Sequence, residues 1–163
     1  TGLPVLVHTP GSSKGDVDPR HVQSYEEGNR NFTDPVLHSD DPKTEAVEID
    51  LALADEVGLP DEQLVIDHAG RSVRDFVLEN TDCYLAYSVS APWLRGIDAR
   101  DIAAAIDAHG SDRIVVDTDL IGAMDNDPFV MKRTMLDLLR LGVDREDVRR
   151  VVYENPREIL GLA

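Results

Sequence analysis

The chain reads as a parallel α/β fold of four strands alternating with helices, and three features of the sequence predict it. Short runs rich in Val, Ile, Leu and Tyr recur at Leu3 to His8, Leu64 to Asp67, Cys83 to Val89 and Arg113 to Asp117. None shows the clean apolar–polar alternation of a sheet with one wet face, so each is expected to be covered on both sides. Between the runs lie stretches with apolar residues at helical spacing, which is the order of βα units joined by right-handed crossovers.

Lys43 to Val57 is the first helical stretch, with Ala46, Val47, Ile49, Leu51, Leu53, Ala54 and Val57 apolar and Gly58 at its end. Ser72 to Glu79 is a short helix after Gly70. Asp98 stands as N-cap of a helix that reaches His109 and stops at Gly110, and Pro128 to Leu141 stops at Gly142. Two helices close the chain. Asp144 is expected to cap Arg145 to Val152, and Asn155 to cap a last helix with Pro156 in its first turn, where a missing N–H costs nothing.

Gly11 to Pro42 breaks the pattern. It is rich in Gly, Ser, Asp, Asn and Pro and is too long for an ordinary connection, so a functional loop roofing the end of the first strand is expected. His21 and His38 lie inside this insert, numbered 11–42, and read as solvated loop histidines.

The formal net charge is −16, made of 22 Asp and 10 Glu against 13 Arg and 3 Lys. The acids are spread along the chain rather than gathered in a partner-binding tail. Diffuse acid with Lys nearly absent suits a high-salt cytoplasm, where screening removes self-repulsion. The parent protein is therefore expected to unfold or aggregate below molar salt and to recover in potassium chloride. Equal melting temperatures at low and high salt would remove this halophilic reading.

Cys83 is the single cysteine, which rules out a disulfide framework and a cysteine-built zinc site. A reducing interior, the cytoplasm, is the default compartment. The apolar runs are strand-sized, so no membrane partner is expected. The chain opens on Thr1-Gly2-Leu3 without Met and enters a strand at once, as a cut through a longer protein would.

Three of the runs end in chemistry. "LPVLVHTPG" ends at His8, "VIDHAG" at Asp67-His68 and "RIVVDTDLIG" at Asp117 and Asp119. Ligands of α/β folds collect at the carboxyl ends of parallel strands. Two imidazoles and a carboxylate on separate rigid strands can converge on a divalent ion such as zinc or manganese. Each residue alone has a plainer role: a strand-end His forms structural hydrogen bonds, and Asp117 or Asp119 caps a turn. Their coincidence on three strands favours a site. The remaining run, "CYLAYSVS", offers only Tyr87, Ser88 and Ser90, which either line a pocket or pack.

Taken in order, "LPVLVHTP", "VIDHAG", "VVDTD" and "VVYENPREILGL" resemble the second half of a TatD-like metal-dependent hydrolase, an amidohydrolase-type (β/α)8 barrel, and its archaeal branch in particular. The resemblance implies the C-terminal half of a TIM-type barrel, residues 1–163, with the insert at 11–42. It implies that His8 and His68 hold one metal and that Asp119 touches a second and helps orient or deprotonate the attacking water. The cofactors would be two divalent ions, drawn from zinc, manganese and magnesium. The family's His-x-His pair and bridging carboxylate lie on earlier strands, so this chain would need a missing N-terminal half-barrel or self-association to complete the barrel. Implied substrates are a nucleic acid or a small phosphodiester. The rival readings are hydrolysis of an amide or ester, and a catalytically inactive binding or scaffold domain.

Overall fold

The computed structural model describes residues 3–8, 42–68, 70–89, 98–119 and 127–162. The insert residues His21 and His38 lie outside them, as does Ser90. Four strands form one parallel sheet in the order β1 (Val5–His8), β2 (Leu64–Asp67), β3 (Tyr84–Ser88) and β4 (Ile114–Asp117). The helices between them are α1 (Pro42–Val57), α2 (Arg71–Asn80) and α3 (Ala99–His109). Beyond β4 come α4 (Val130–Arg140), α5 (Arg145–Arg149), a π-helical turn (Arg150–Glu154) and α6 (Asn155–Ile159). Strands and helices alternate as the apolar runs predict, with element ends through β4 and α4 within two residues of expectation, while the helix expected over Arg145 to Val152 turns π-helical after Arg149. A one-turn 3₁₀ segment (Asp61–Gln63) leads into β2.

Alternation along the strands sorts the core into two faces. Leu64, Ile66, Leu85, Tyr87, Ile114 and Val116 pack with Val47, Val73, Ile102 and Leu138 under the helices. Val65, Tyr84, Ala86 and Val115 form a second, smaller cluster on the opposite face, with Ile159 against it. On the edge strand β1, Val5 and Leu6 are exposed, whereas β2 and β3 are buried throughout. Among the described residues no strand pairs with the outer side of β1 or β4. Burial pushes the Cys83 thiol up to about 11, which leaves it protonated and poorly nucleophilic at neutral pH.

Asp98 caps α3 as expected: its carboxylate accepts the Arg100 N–H at 2.7 Å, and the Asp101 carboxylate returns a bond to the Asp98 N–H at 2.9 Å. This is a reciprocal capping box. Two expectations at the C-terminus need correction. Asp144 precedes α5, but its side chain makes no capping hydrogen bond. Asn155 is not a cap either. Its backbone is already helical, because the π-helical turn runs into α6 without a break.

The Asn155 side chain is instead buried against β4. Its Nδ2 donates to the carbonyls of Ser111 and Ile114, each at 2.7 Å. The carbonyls of Arg113 and Asp117 accept from β3, through Leu85 N and Val89 N. With strand carbonyls alternating in direction, Ile114 turns its oxygen toward the open side of β4. Asn155 thus satisfies a carbonyl on the side of β4 where, among the described residues, no strand pairs.

Candidate functional site

The faces of the sheet explain where the polar residues gather. Counting by twos, His8 lies on the face of Leu6, Asp67 on that of Val65, Ser88 on that of Ala86, and Asp117 on that of Val115. All four end their strands on the face opposite the helices, at the carboxyl edge. The register pairs His8 with Asp67 and Ser88 with Asp117.

His68 and Asp119 follow their strands, where alternation no longer holds. Both have left-handed backbones, with φ of 56° and 40°, and among the described residues no other non-glycine residue has a positive φ. Such conformations cost about 1–3 kcal/mol each and persist where the surroundings hold them. At His68 the holding groups are visible. Asp67 Oδ1 accepts the His68 N–H at 2.6 Å, and the ammonium of Lys43, buried at the start of α1, donates to the His68 carbonyl. Both sides of the turn are therefore tied.

The turn brings the predicted residues together. The rings of His8 and His68 meet edge to face, with centroids 4.0 Å apart. His68 Nε2 stands 3.8 Å from Asp119 Oδ2, although β3 separates their strands, and 3.5 Å from Asp67 Oδ2. The Ser88 hydroxyl lies 2.9 Å from His68 Nδ1 and 3.2 Å from Asp67 Oδ1. His68 is buried, Asp119 half-buried and His8 exposed, so the cluster opens toward solvent on the β1 side.

Three carboxylates share this edge, and their electrostatics show in Asp117. Its pKa is pushed up to about 7, first by desolvation and then by the charge of Asp67, with a smaller push from Asp119; a hydrogen bond from Ser88 opposes the rise. Among the described residues Asp117 Oδ2 is buried without a hydrogen-bond partner. An orphaned carboxyl oxygen beside two imidazoles and two further carboxylates is donor chemistry that suits a divalent cation. The set is partial: among the described residues no three His, Cys, Asp or Glu side chains converge closely enough to hold an ion by themselves.

Sequence reasoning singled out His8, His68, Asp119 and Asp117, and noted Ser88 only as pocket lining or packing. It missed Asp67 as a partner of the cluster, although Asp67 precedes His68 directly and alternation from Val65 would have placed it. It also missed Lys43, a lysine at a helix start with no local mark of burial. A second hollow lies at the other end of β4, lined by Ser111, Asp112, Asp144, Glu146, Asp147 and Arg150. Its polar groups bond internally, Ser111 to Asp147 and Arg150 to Asp112, which marks a structural network.

The amidohydrolase family model matches residues 1–162. The chain belongs to the amidohydrolase family. Among curated proteins it is similar to an uncharacterized metal-dependent hydrolase of Methanocaldococcus jannaschii, 28% identical over 123 residues, which are 75% of this chain and 47% of the relative. Among solved structures it resembles the crystal structure of the TatD-like protein of Archaeoglobus fulgidus. There the TM-score is 0.53 and the identity 20%, over 98% of this chain and 47% of that one. The chain thus spans about half the length of the curated relative it matches. The sheet of four parallel strands and their helices is the corresponding half of a TIM-type barrel. Among the described residues no helix is long and apolar enough to cross a membrane.

Proposed function

We propose that this chain supplies the C-terminal metal-binding half of a hydrolase barrel that cleaves a phosphodiester, as in a nucleic acid, with water as nucleophile. The observation that carries the reading is the meeting of His8, His68 and Asp119 at one carboxyl edge, in a chain that matches the amidohydrolase family almost end to end. His8 and His68 offer neutral ring nitrogens to one ion. Asp119, on its left-handed turn, accepts the proton of the attacking water and holds that water in line. When bound, zinc, manganese or magnesium polarises the scissile group and acidifies the water. The remaining ligands come from the other half of the barrel, whose strands pair with the open edges of β1 and β4. That half belongs to the same polypeptide or to a second copy.

The family match itself favours a second reading, hydrolysis of an amide or ester at the same site. The full-length protein, given each metal in turn, is expected to cleave single-stranded DNA or bis(p-nitrophenyl) phosphate and to lose that activity in EDTA. Faster cleavage of amides or esters would replace the phosphodiester reading with the second one. A protein that cleaves neither class and binds no metal would be a scaffold.

A further inference from the structure

We propose that Ser88 is a positioning residue for His68: its hydroxyl oxygen accepts the Nδ1 proton of the imidazole and so presents Nε2 as the lone-pair nitrogen on the Asp119 side. The inference rests on the reading of His68 as a metal ligand, and it follows from counting protons.

A serine hydroxyl carries one proton and two lone pairs. Ser88 Oγ stands between His68 Nδ1, at 2.9 Å, and Asp67 Oδ1, at 3.2 Å. Asp67 Oδ1 also accepts the backbone N–H of His68, and a carboxylate oxygen has no proton to return. The hydroxyl proton therefore goes to Asp67. Oγ can then bond to His68 only as an acceptor, which requires the proton on Nδ1.

Ser88, Asp67 and His68 are 3%, 6% and 7% exposed, so bulk water competes poorly for these bonds. The three residues close a ring: Asp67 to the His68 backbone, Asp67 to Ser88, and Ser88 to the His68 side chain. This ring holds the backbone turn at φ 56° and the tautomer of the ring together. On β3, the strand without a strand-end ligand candidate, Ser88 thereby acts on the site through His68. Partners that fix a ligating histidine in this way typically matter 10–100-fold for metal affinity.

The test uses the full-length protein labelled with ¹⁵N-histidine. In metal-free wild type, long-range proton–nitrogen spectra of neutral His68 are expected to show Nδ1–H with a bare Nε2. Ser88→Ala should mix the tautomers and weaken zinc binding in chelator competition by roughly 10–100-fold. Ser88→Thr, which keeps the hydroxyl on a strand that tolerates β-branching, should restore both. An Nε2–H ring in wild type overturns the proposal, whether or not Ser88→Ala folds. So does a Ser88→Ala protein with unchanged tautomer and zinc affinity. His68→Ala separates the two failures. Zinc affinity that survives it removes the metal-ligand reading. Zinc affinity lost in His68→Ala but intact in Ser88→Ala removes the positioning role alone.

Discussion

Asp119→Asn in the full-length protein is expected to lower turnover by about a thousandfold, within the range a positioned general base supplies, while leaving the fold intact. The chemical half of this expectation is that an amide neither accepts the water's proton nor contributes negative charge to a cation. The structural half comes from the backbone. Asp119 sits at φ 40°, and Asn is among the few side chains that tolerate the left-handed region as well as Asp does. Stability should hold or rise slightly, because the charge of Asp119 is one of the repulsions that push Asp117 up. Urea denaturation of the two proteins should agree to about 0.5 kcal/mol, or favour the variant. Turnover within a factor of ten of wild type would show that Asp119 does not serve the chemistry. A large loss of stability would show that the carboxylate is structural.

The parts of this molecule legible in the sequence are those that local pattern decides. Leu64 to Asp67 reads as a strand because it is a short apolar run, and it folds as one over the same residues. Asp98 reads as a cap because an Asp opens the helical stretch that follows, and the structure adds Asp101, whose carboxylate completes the box. His8, His68 and Asp119 could be singled out because each ends an apolar run, and parallel strands send their ends to one edge. What escaped reading depends on groups distant in the chain. Lys43 meets the His68 carbonyl 25 residues away, and Ser88 meets the His68 ring 20 residues away. The left-handed turns at His68 and Asp119 fall on residues other than glycine, and at His68 the turn is tied by the adjacent Asp67 carboxylate and by Lys43 from far along the chain. Strand alternation alone would also put Asp119 farther from His68 than it is. The turn at Asp119 lies past the end of β4, where a period of two no longer predicts direction.

Asn155 is the sharpest case, because its sequence context argued for a cap and its structure argues for a clamp. Asn-Pro before a short helix is a sound N-terminal signal. It fails here because the preceding π-helical turn leaves no break to cap, and the side chain is carried against β4 instead. Asn155→Asp is expected to destabilise the protein by about 3–5 kcal/mol, as an unpaired buried charge does. The amide nitrogen that donates to Ser111 and Ile114 would become an oxygen facing two carbonyl oxygens at 2.7 Å, at a position only 1% exposed. Asn155→Ala removes the same two bonds without adding charge and should cost less, about 2–3 kcal/mol. The two variants also differ in pH dependence. A carboxyl buried against carbonyls has its folded-state pKa raised above the unfolded value, so the folded state binds the extra proton. The Asn155→Asp protein should accordingly recover part of its stability toward acid and lose it as pH rises through that raised pKa, relative to wild type. Urea midpoints of wild type and both variants at about pH 5 and about pH 8 would measure this, on either side of the range where a raised carboxyl titrates. A clamp predicts that Asn155→Asp is worse than Asn155→Ala at the higher pH. A cap predicts the reverse order, since Asp serves as well as Asn at a helix N-terminus and Ala does not.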